Sequence, residues 1–322
     1  MFNLTLFNDI MKIPSPTGNE KKFAGFLKEH FNNKGMDIQH DNMNDIFINK
    51  NGAGKRTAIC VTIDEPSLMM LYINDTKFIK FTSDMVDLDK KNIMIRFDNG
   101  TKGKVVKQGD KSYVVADEPD HVMPGDLAVI DGTWASTNDI VKGRSIIYKI
   151  PALVLSDIIE SDIKTNRDLY FVFSTHSFLQ ETNYRGLKRV IEEIQPEEVI
   201  LIQCNAAGKE EAKIGEIGFE VGGKNYRSSL KMRESFIQIA NLMGISYSTY
   251  VSDKSDTMSE KVLENVDAEV LAISLPWAEE NDEEVMIVNI IENAADLVRK
   301  YISNIDTAEQ SVREGKNVKW EI

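Results

Sequence analysis

The sequence predicts an α/β fold: a mostly parallel sheet flanked by helices, interrupted by a small all-β domain. Three observations predict it. From Gly143 onward, apolar runs of strand length alternate with helical stretches, the pattern of a parallel sheet covered on both faces. From about Leu68 to Thr133 that alternation stops, and short runs are separated by the turn signals Asn74-Asp75, Asp98-Asn99-Gly100, Gly109-Asp110 and Pro124-Gly125-Asp126. The 322 residues suffice for one large domain and a smaller one. The expected division is 1–67 with 134–322 as the α/β domain, and 68–133 as a barrel-like insert.

Element by element, Ile13-Pro14-Ser15-Pro16-Thr17-Gly18-Asn19-Glu20 reads as a turn. Thr17 and Glu20 have capping-box spacing, and Lys21 to Phe31 has helical apolar periodicity. Two strands are expected, Ile46 to Lys50 and Thr57 to Asp64, with Asn51-Gly52-Ala53-Gly54 as a hairpin turn between them. After the insert come a helix from Ile150 to Glu160, a strand from Asp168 to Ser174, a helix from Arg185 to Ile194 and a strand from Glu198 to Gln203. A helix from Ser228 to Gly244, a strand from Ala268 to Ser274 and a helix from Val288 to Ile305 complete the order. The polar tail after Asp306 is expected to fray, and the acidic run Glu279 to Glu284 reads as a solvated loop.

Hydrophobic residues make up 42 % of the chain, enough to bury a sizeable core. The net charge is −13, with basic residues scattered, which argues against nucleic acid as a partner. Cys60 and Cys204 sit in apolar runs and are expected to be buried free thiols. Met1 to Lys12 lacks the basic start and unbroken apolar run of a signal peptide. No run of 18 apolar residues spans a membrane, so a cytoplasmic location is expected.

The functional question lies in Ala58-Ile59-Cys60-Val61-Thr62-Ile63-Asp64-Glu65, a buried strand ending in two acids. Strand C-termini are where ligands bind in open α/β sheets. The order of elements, the opening Ile13 to Glu20 and the closing Met123-Pro124-Gly125-Asp126 of the insert together resemble the glutamyl and tetrahedral (TET) aminopeptidases, metallopeptidase family 42. The resemblance runs from about Leu6 to Ile302. It implies two metal ions about 3.5–4 Å apart that polarise a water and the scissile carbonyl.

Carried over residue by residue, the ligand set is depleted. The first His aligns with Thr62, and the Asp that orients it is retained as Asp64. The bridging Asp aligns with Ile147, followed by Tyr148 and by Lys149, whose charge would oppose cations. Counting back from Arg185-Gly186, the general-base Glu becomes Gln180 and the next ligand is retained as Glu181. Counting forward from the preceding strand places that pair at Ser177 and Phe178 instead. The fourth ligand aligns with Gln203; Cys204 beside it faces the other way on a strand. The last His aligns with Asn281, while a slip of one or two residues brings in Glu279 or Glu280. Asp256 matches a pocket-shaping position and serves equally well as a helix cap. His176, near a strand end, is a further candidate to line the cleft.

The set Thr62, Ile147, Gln180, Gln203 and Asn281 is neutral, as a repacked, metal-free site requires. The expectation is a non-catalytic, peptide-binding or assembly subunit with no bound cofactor. It would take a peptide or small-molecule amine, and the resemblance implies homo-oligomers from dimers up to a dodecamer. The alternative is an active metal-dependent aminopeptidase with Asp64, Glu181 and Glu279 or Glu280 around one divalent ion: the resemblance implies Zn, Co or Mn, while so oxygen-rich a site favours Mg, Ca or Mn over Zn. Carbohydrate hydrolysis by Asp64 and Glu181 is a third class, with no sugar cleft indicated by the sequence.

Overall fold

The computed structural model describes residues 2–73, 78–84, 86, 88, 92–179, 184–208, 212–253, 257–264 and 266–313. In chain order the elements begin with helices α1 (Leu4–Met11) and α2 (Lys21–Asn32), then strands β1 (Ile38–His40), β2 (Ile46–Lys50) and β3 (Arg56–Thr62). Six strands follow: β4 (Ser67–Ile73), β5 (Ile79–Asp84), β6 (Met94–Phe97), β7 (Lys102–Gln108), β8 (Lys111–Ala116) and β9 (Leu127–Ile130). Next come β10 (Trp134–Ser136), β11 (Ile140–Gly143), a 3-10 turn at Ile146–Tyr148, α3 (Ile150–Glu160) and β12 (Asp168–Ser174). The remainder is α4 (Arg185–Ile194), β13 (Glu198–Ala206), β14 (Ile217–Gly222), α5 (Leu230–Met243), β15 (Tyr247–Val251), α6 (Met258–Leu263), β16 (Glu269–Glu280), β17 (Glu283–Ile287) and α7 (Val288–Arg313).

One eleven-stranded sheet runs β1-β2-β12-β3-β13-β16-β17-β11-β10, with β14 and β15 attached beside β16. Its centre, β12-β3-β13-β16, is parallel, while the pairs on either side are antiparallel apart from β14 with β15. The period of two along the strands sorts the core into two layers. Ile59, Val61, Phe171, Phe173, Ile200, Ile202, Leu271 and Ile273 face the helices α1, α3, α5 and α7. Ala58, Cys60, Val172, Val199, Leu201 and Ala272 face α4 and α6. The insert closes into a barrel, β4-β5-β8-β7-β6-β9, around its own core of Leu68, Met70, Ile79, Ile95, Phe97, Val114 and Ala128.

Several expectations are corrected. β2 and β3 do not form a hairpin, because β12 lies between them and pairs with both. The connection instead crosses the start of β12, where a Cβ on Gly52 would meet the Arg167 carbonyl oxygen at 2.1 Å. Thr17 does not cap α2: its hydroxyl goes to Asp64, and Glu20 is the capping position. The acidic run is not a loop but the hairpin of β16 and β17, with Asn281 (φ 57°) and Asp282 (φ 62°) as its two left-handed turn residues. The last helix runs beyond the expected end near Ile305, since α7 continues to Arg313. No described helix is long and apolar enough to cross a membrane.

Candidate functional site

The strand ends of β3 and β12 lie side by side, with Thr62 opposite Ser174 in parallel register. Just beyond, Asp64 is fully buried. Its Oδ2 accepts from the Thr17 hydroxyl at 2.8 Å and from the Ser177 backbone N–H at 2.6 Å. Its Oδ1 is buried with no hydrogen-bond partner. Burial drives the Asp64 carboxyl upward, against hydrogen bonds from Ser177 and Thr17 that favour the anion. Glu20, also fully buried, accepts from the N–H groups of Gly18 (2.7 Å) and His176 (3.1 Å). Burial, and next the Asp64 charge, raise it to about 7.

Glu65 turns away from Asp64 into a separate buried pair. Its Oε1 accepts from the Ser15 N–H at 2.8 Å and lies 3.2 Å from Lys149 Nζ. The ammonium also donates to the Ser15 hydroxyl and sits 4.3 Å from the centre of the Phe23 ring. Lys149 therefore balances an internal carboxylate instead of opposing a cation in the cleft. Burial lowers its pKa.

Gln203 lies near the end of β13, the strand beside β3. Its Nε2 donates to Glu220 Oε2 at 3.2 Å, and Glu220 also accepts from Tyr250 (3.1 Å) and Ser259 (2.9 Å). Asn205 extends the network to the Tyr250 hydroxyl at 2.7 Å. Cys204, the next residue along β13 after Gln203, packs against the larger core layer, and both cysteines are free.

Ile147 and Tyr148 leave the 3-10 turn half-buried in the wall of a cavity of about 220 Å3. Trp277, Glu279, Asp282 and Glu284 of the β16–β17 hairpin form the facing wall, with Arg144 between. Phe178 packs edge-on against Tyr148, ring centres 5.3 Å apart. Glu284 is buried and accepts from the Ile146 N–H at 2.8 Å.

The sequence-derived candidates fall on three sets of contacts. Thr62 and Asp64 share one strand end, Ile147 and Glu279 share the cavity, and Gln203 belongs to the Glu220 network. Asn281 is exposed at the hairpin tip, and exposed Glu280 lies 3.4 Å from Lys142. His176 sits beside Glu20, its Nδ1 3.6 Å from that carboxylate, and burial lowers its pKa. Gln180, Glu181 and Asp256 lie outside the described residues. Ser177 and Phe178, the pair reached by counting from the strand, lie against Asp64 and Tyr148 respectively. Glu20 and Glu220 escaped the sequence reading, although an acid inside the apolar run Ile217-Gly218-Phe219-Glu220-Val221 was a visible signal.

Two divalent ions require imidazole and carboxylate donors converging on one point. At the aligned positions the described chain offers a buried hydroxyl, a hydrocarbon, an amide already donating to a carboxylate, and an exposed amide. Among the described residues, no three of His, Cys, Asp and Glu gather at a point that could hold a metal. The described residues at these positions supply no imidazole or carboxylate donor for a di-metal centre, and Glu181 lies outside them.

The model of the M42 glutamyl aminopeptidase family matches residues 111–297. An Acetivibrio thermocellus protein named "Putative aminopeptidase" is 24 % identical over 210 residues, 60 % of this chain and 63 % of that protein, so the chain spans under two thirds of that relative's length. The TET aminopeptidase of Thaumarchaeota archaeon SCGC AB-539-E09 superposes with a TM-score of 0.82 at 16 % identity, covering 93 % of this chain and 95 % of that one. Pyrococcus horikoshii TET1 peptidase, described as assembling into a tetrahedron or a large octahedral shell, gives 0.78 at 15 % identity, covering 92 % and 97 %. The fold is shared with these proteins, and the family match over more than half of its length makes this chain a member of the M42 glutamyl aminopeptidase family.

Proposed function

We infer that this protein is an aminopeptidase-family member without the di-metal centre and without peptidase activity, serving as a non-catalytic peptide-binding or assembly subunit. One observation carries the reading: Ile147, at the position aligned with the bridging carboxylate, is a hydrocarbon wall of a cavity. A bridging ligand must supply two anionic oxygens, and an isobutyl-sized side chain supplies none. The unpartnered Oδ1 of Asp64 supports it further. The resemblance gives this Asp the task of orienting a metal-bound His, and Thr62 leaves that oxygen with nothing to hold.

Assembly is the second half of the proposal. The barrel exposes Met69, Leu71, Tyr72, Met94 and Met123, apolar side chains suited to a contact between copies. A homo-oligomer, from a dimer up to a dodecamer, assembled through an insert at 68–133 on an α/β domain of 1–67 and 134–322, accounts for them. Two free thiols suit a reducing, cytoplasmic location.

An active enzyme with an oxygen-rich single-ion site is the second reading, favoured by the unpartnered oxygen Glu20 Oε2. Against it, Asp64 is fully buried and Glu280 is turned to Lys142. An aminoacyl-anilide assay with Mn, Co or Zn added separates the two. No anilide release is expected; metal-dependent turnover that survives repurification contradicts the non-catalytic reading.

A further inference from the structure

Among the described residues, three strands of the large sheet have one unpaired edge: β1, β10 and β15. An unpaired edge invites pairing with another chain, and proteins blunt such edges with short strands and charges. β1 and β10 are three residues long, and β1 ends in His40, whose Nδ1 lies 3.3 Å from Lys28 Nζ. β15 has neither defence. It runs for five residues, Tyr247-Ser248-Thr249-Tyr250-Val251, and no charged residue lies between Gly244 and Ser252 in a chain of net charge −13.

The hydrogen bonds to β14 fix which backbone groups of β15 point outward. The Ile217 N–H donates to the Ser246 carbonyl at 2.9 Å, and the Ser252 N–H donates to the Gly222 carbonyl at 2.9 Å. Even-numbered residues therefore turn their backbone groups to β14, since these groups alternate along a strand. The N–H and C=O groups of Tyr247, Thr249 and Val251 point away from it, and their side chains share one face of the sheet. Thr249 is exposed, and Val251 is 58 % exposed.

We propose that β15 is a docking edge for β15 of a second copy of this chain, paired antiparallel about a two-fold axis at Thr249. In that register Thr249 faces its own counterpart as a hydrogen-bonded pair, and Tyr247 faces Val251 of the second copy, an aromatic ring against a β-branched side chain. A two-fold contact must be self-complementary, and this strand is so at its centre and at both ends. The flanking charges are complementary as well. Lys213, exposed, lies beside β15, its N–H 3.4 Å from Ser248 Oγ, and exposed Asp253 follows Val251 by two residues. The axis turns Asp253 of each copy toward Lys213 of the other. The Val251 end of each copy also meets the exposed Leu242 and Met243, which close α5 just before β15 in the other. Elsewhere the net negative charge sets two copies against each other. This contact is separate from the barrel and independent of whether the cleft holds metal.

Sedimentation velocity of the full chain over a concentration series tests it. Thr249→Lys and Thr249→Glu each set like charges face to face across the axis, and each weakens association by about tenfold or more. An equimolar mixture of the two variants sets a Lys against a Glu and restores association to within about threefold of the unaltered chain. That recovery also shows that both variants are folded. Thr249→Pro removes an outward N–H while sparing the ladder to β14, and weakens association as the charged variants do. Where the barrel also joins copies, the step lost in the single variants and regained on mixing is the one read. Three results overturn the inference: a chain that stays monomeric up to about 100 µM, association unchanged by Thr249→Lys or Thr249→Glu, or a loss that mixing does not repair. The first of these leaves the edge to an extended peptide from another protein.

Discussion

Lys149 Nζ lies 3.2 Å from Glu65 Oε1, and neither side chain exposes more than 4 % of its surface. The pair ties the turn before α3 to the loop after β3, and Ser15 joins it from the N-terminal turn. Breaking such a pair from one side strands a buried charge. Lys149→Met is therefore expected to cost about 3–5 kcal/mol. The double variant Lys149→Met/Glu65→Gln is expected to lose clearly less than the two single losses added together. Urea denaturation of the four proteins measures the coupling.

Asp45 makes a pH prediction. It is fully buried, accepts from the Thr175 N–H at 2.7 Å, and is raised to about 7 by burial and then by the Asp41 charge. A carboxyl raised on folding binds more protons in the folded than in the unfolded state between its ordinary pKa near 4 and about 7. Its contribution to stability is therefore greatest below that window and is lost as pH rises through it. Asp45→Asn is expected to flatten the fall in stability between pH 5 and pH 8. Denaturant midpoints of both proteins across that range check it; parallel curves would contradict the assignment.

Gln203 predicts the cost of restoring a ligand by itself. Gln203→Asp replaces a donor to Glu220 with a second carboxylate in a buried network. The loss is expected to be larger at pH 8 than at pH 5, because one carboxyl of a like-charged pair is relieved by protonation. Added Mn, Co or Zn is not expected to recover it. Thermal melts with and without each metal give the answer.

Gly52 reports on the crossing over β12. Gly52→Ala places a methyl 2.1 Å from the Arg167 carbonyl, a backbone atom that cannot swing aside. A loss of at least about 2 kcal/mol is expected. A β2–β3 hairpin with an open turn would instead tolerate the methyl, so a neutral result would contradict the strand order.

The parallel centre and the helices on each face were legible because long apolar runs such as Glu198-Val199-Ile200-Leu201-Ile202 and the periodic Lys21 to Phe31 leave few alternatives. The barrel was legible from its turn spacing. Strand order was not, since β12 enters between β2 and β3 from more than 100 residues further along, and local pattern holds no trace of that pairing. The β16–β17 hairpin was hidden for a different reason. Six polar residues in a row look like loop, and the alternation that buries Glu284 and Met286 while exposing Glu280 starts only at the turn. At the candidate site, the sequence offered aligned positions but not the contacts those residues make. The Gln203–Glu220 bond and the Lys149–Glu65 pair are contacts across the fold, set by packing.

The central claim is that the aligned ligand positions no longer hold a pair of divalent ions. Elemental analysis of the full chain, purified without chelator and then equilibrated with Zn, Co or Mn and desalted, tests it most directly. The account predicts well under one equivalent of metal per chain. Two tightly retained equivalents per chain would contradict it.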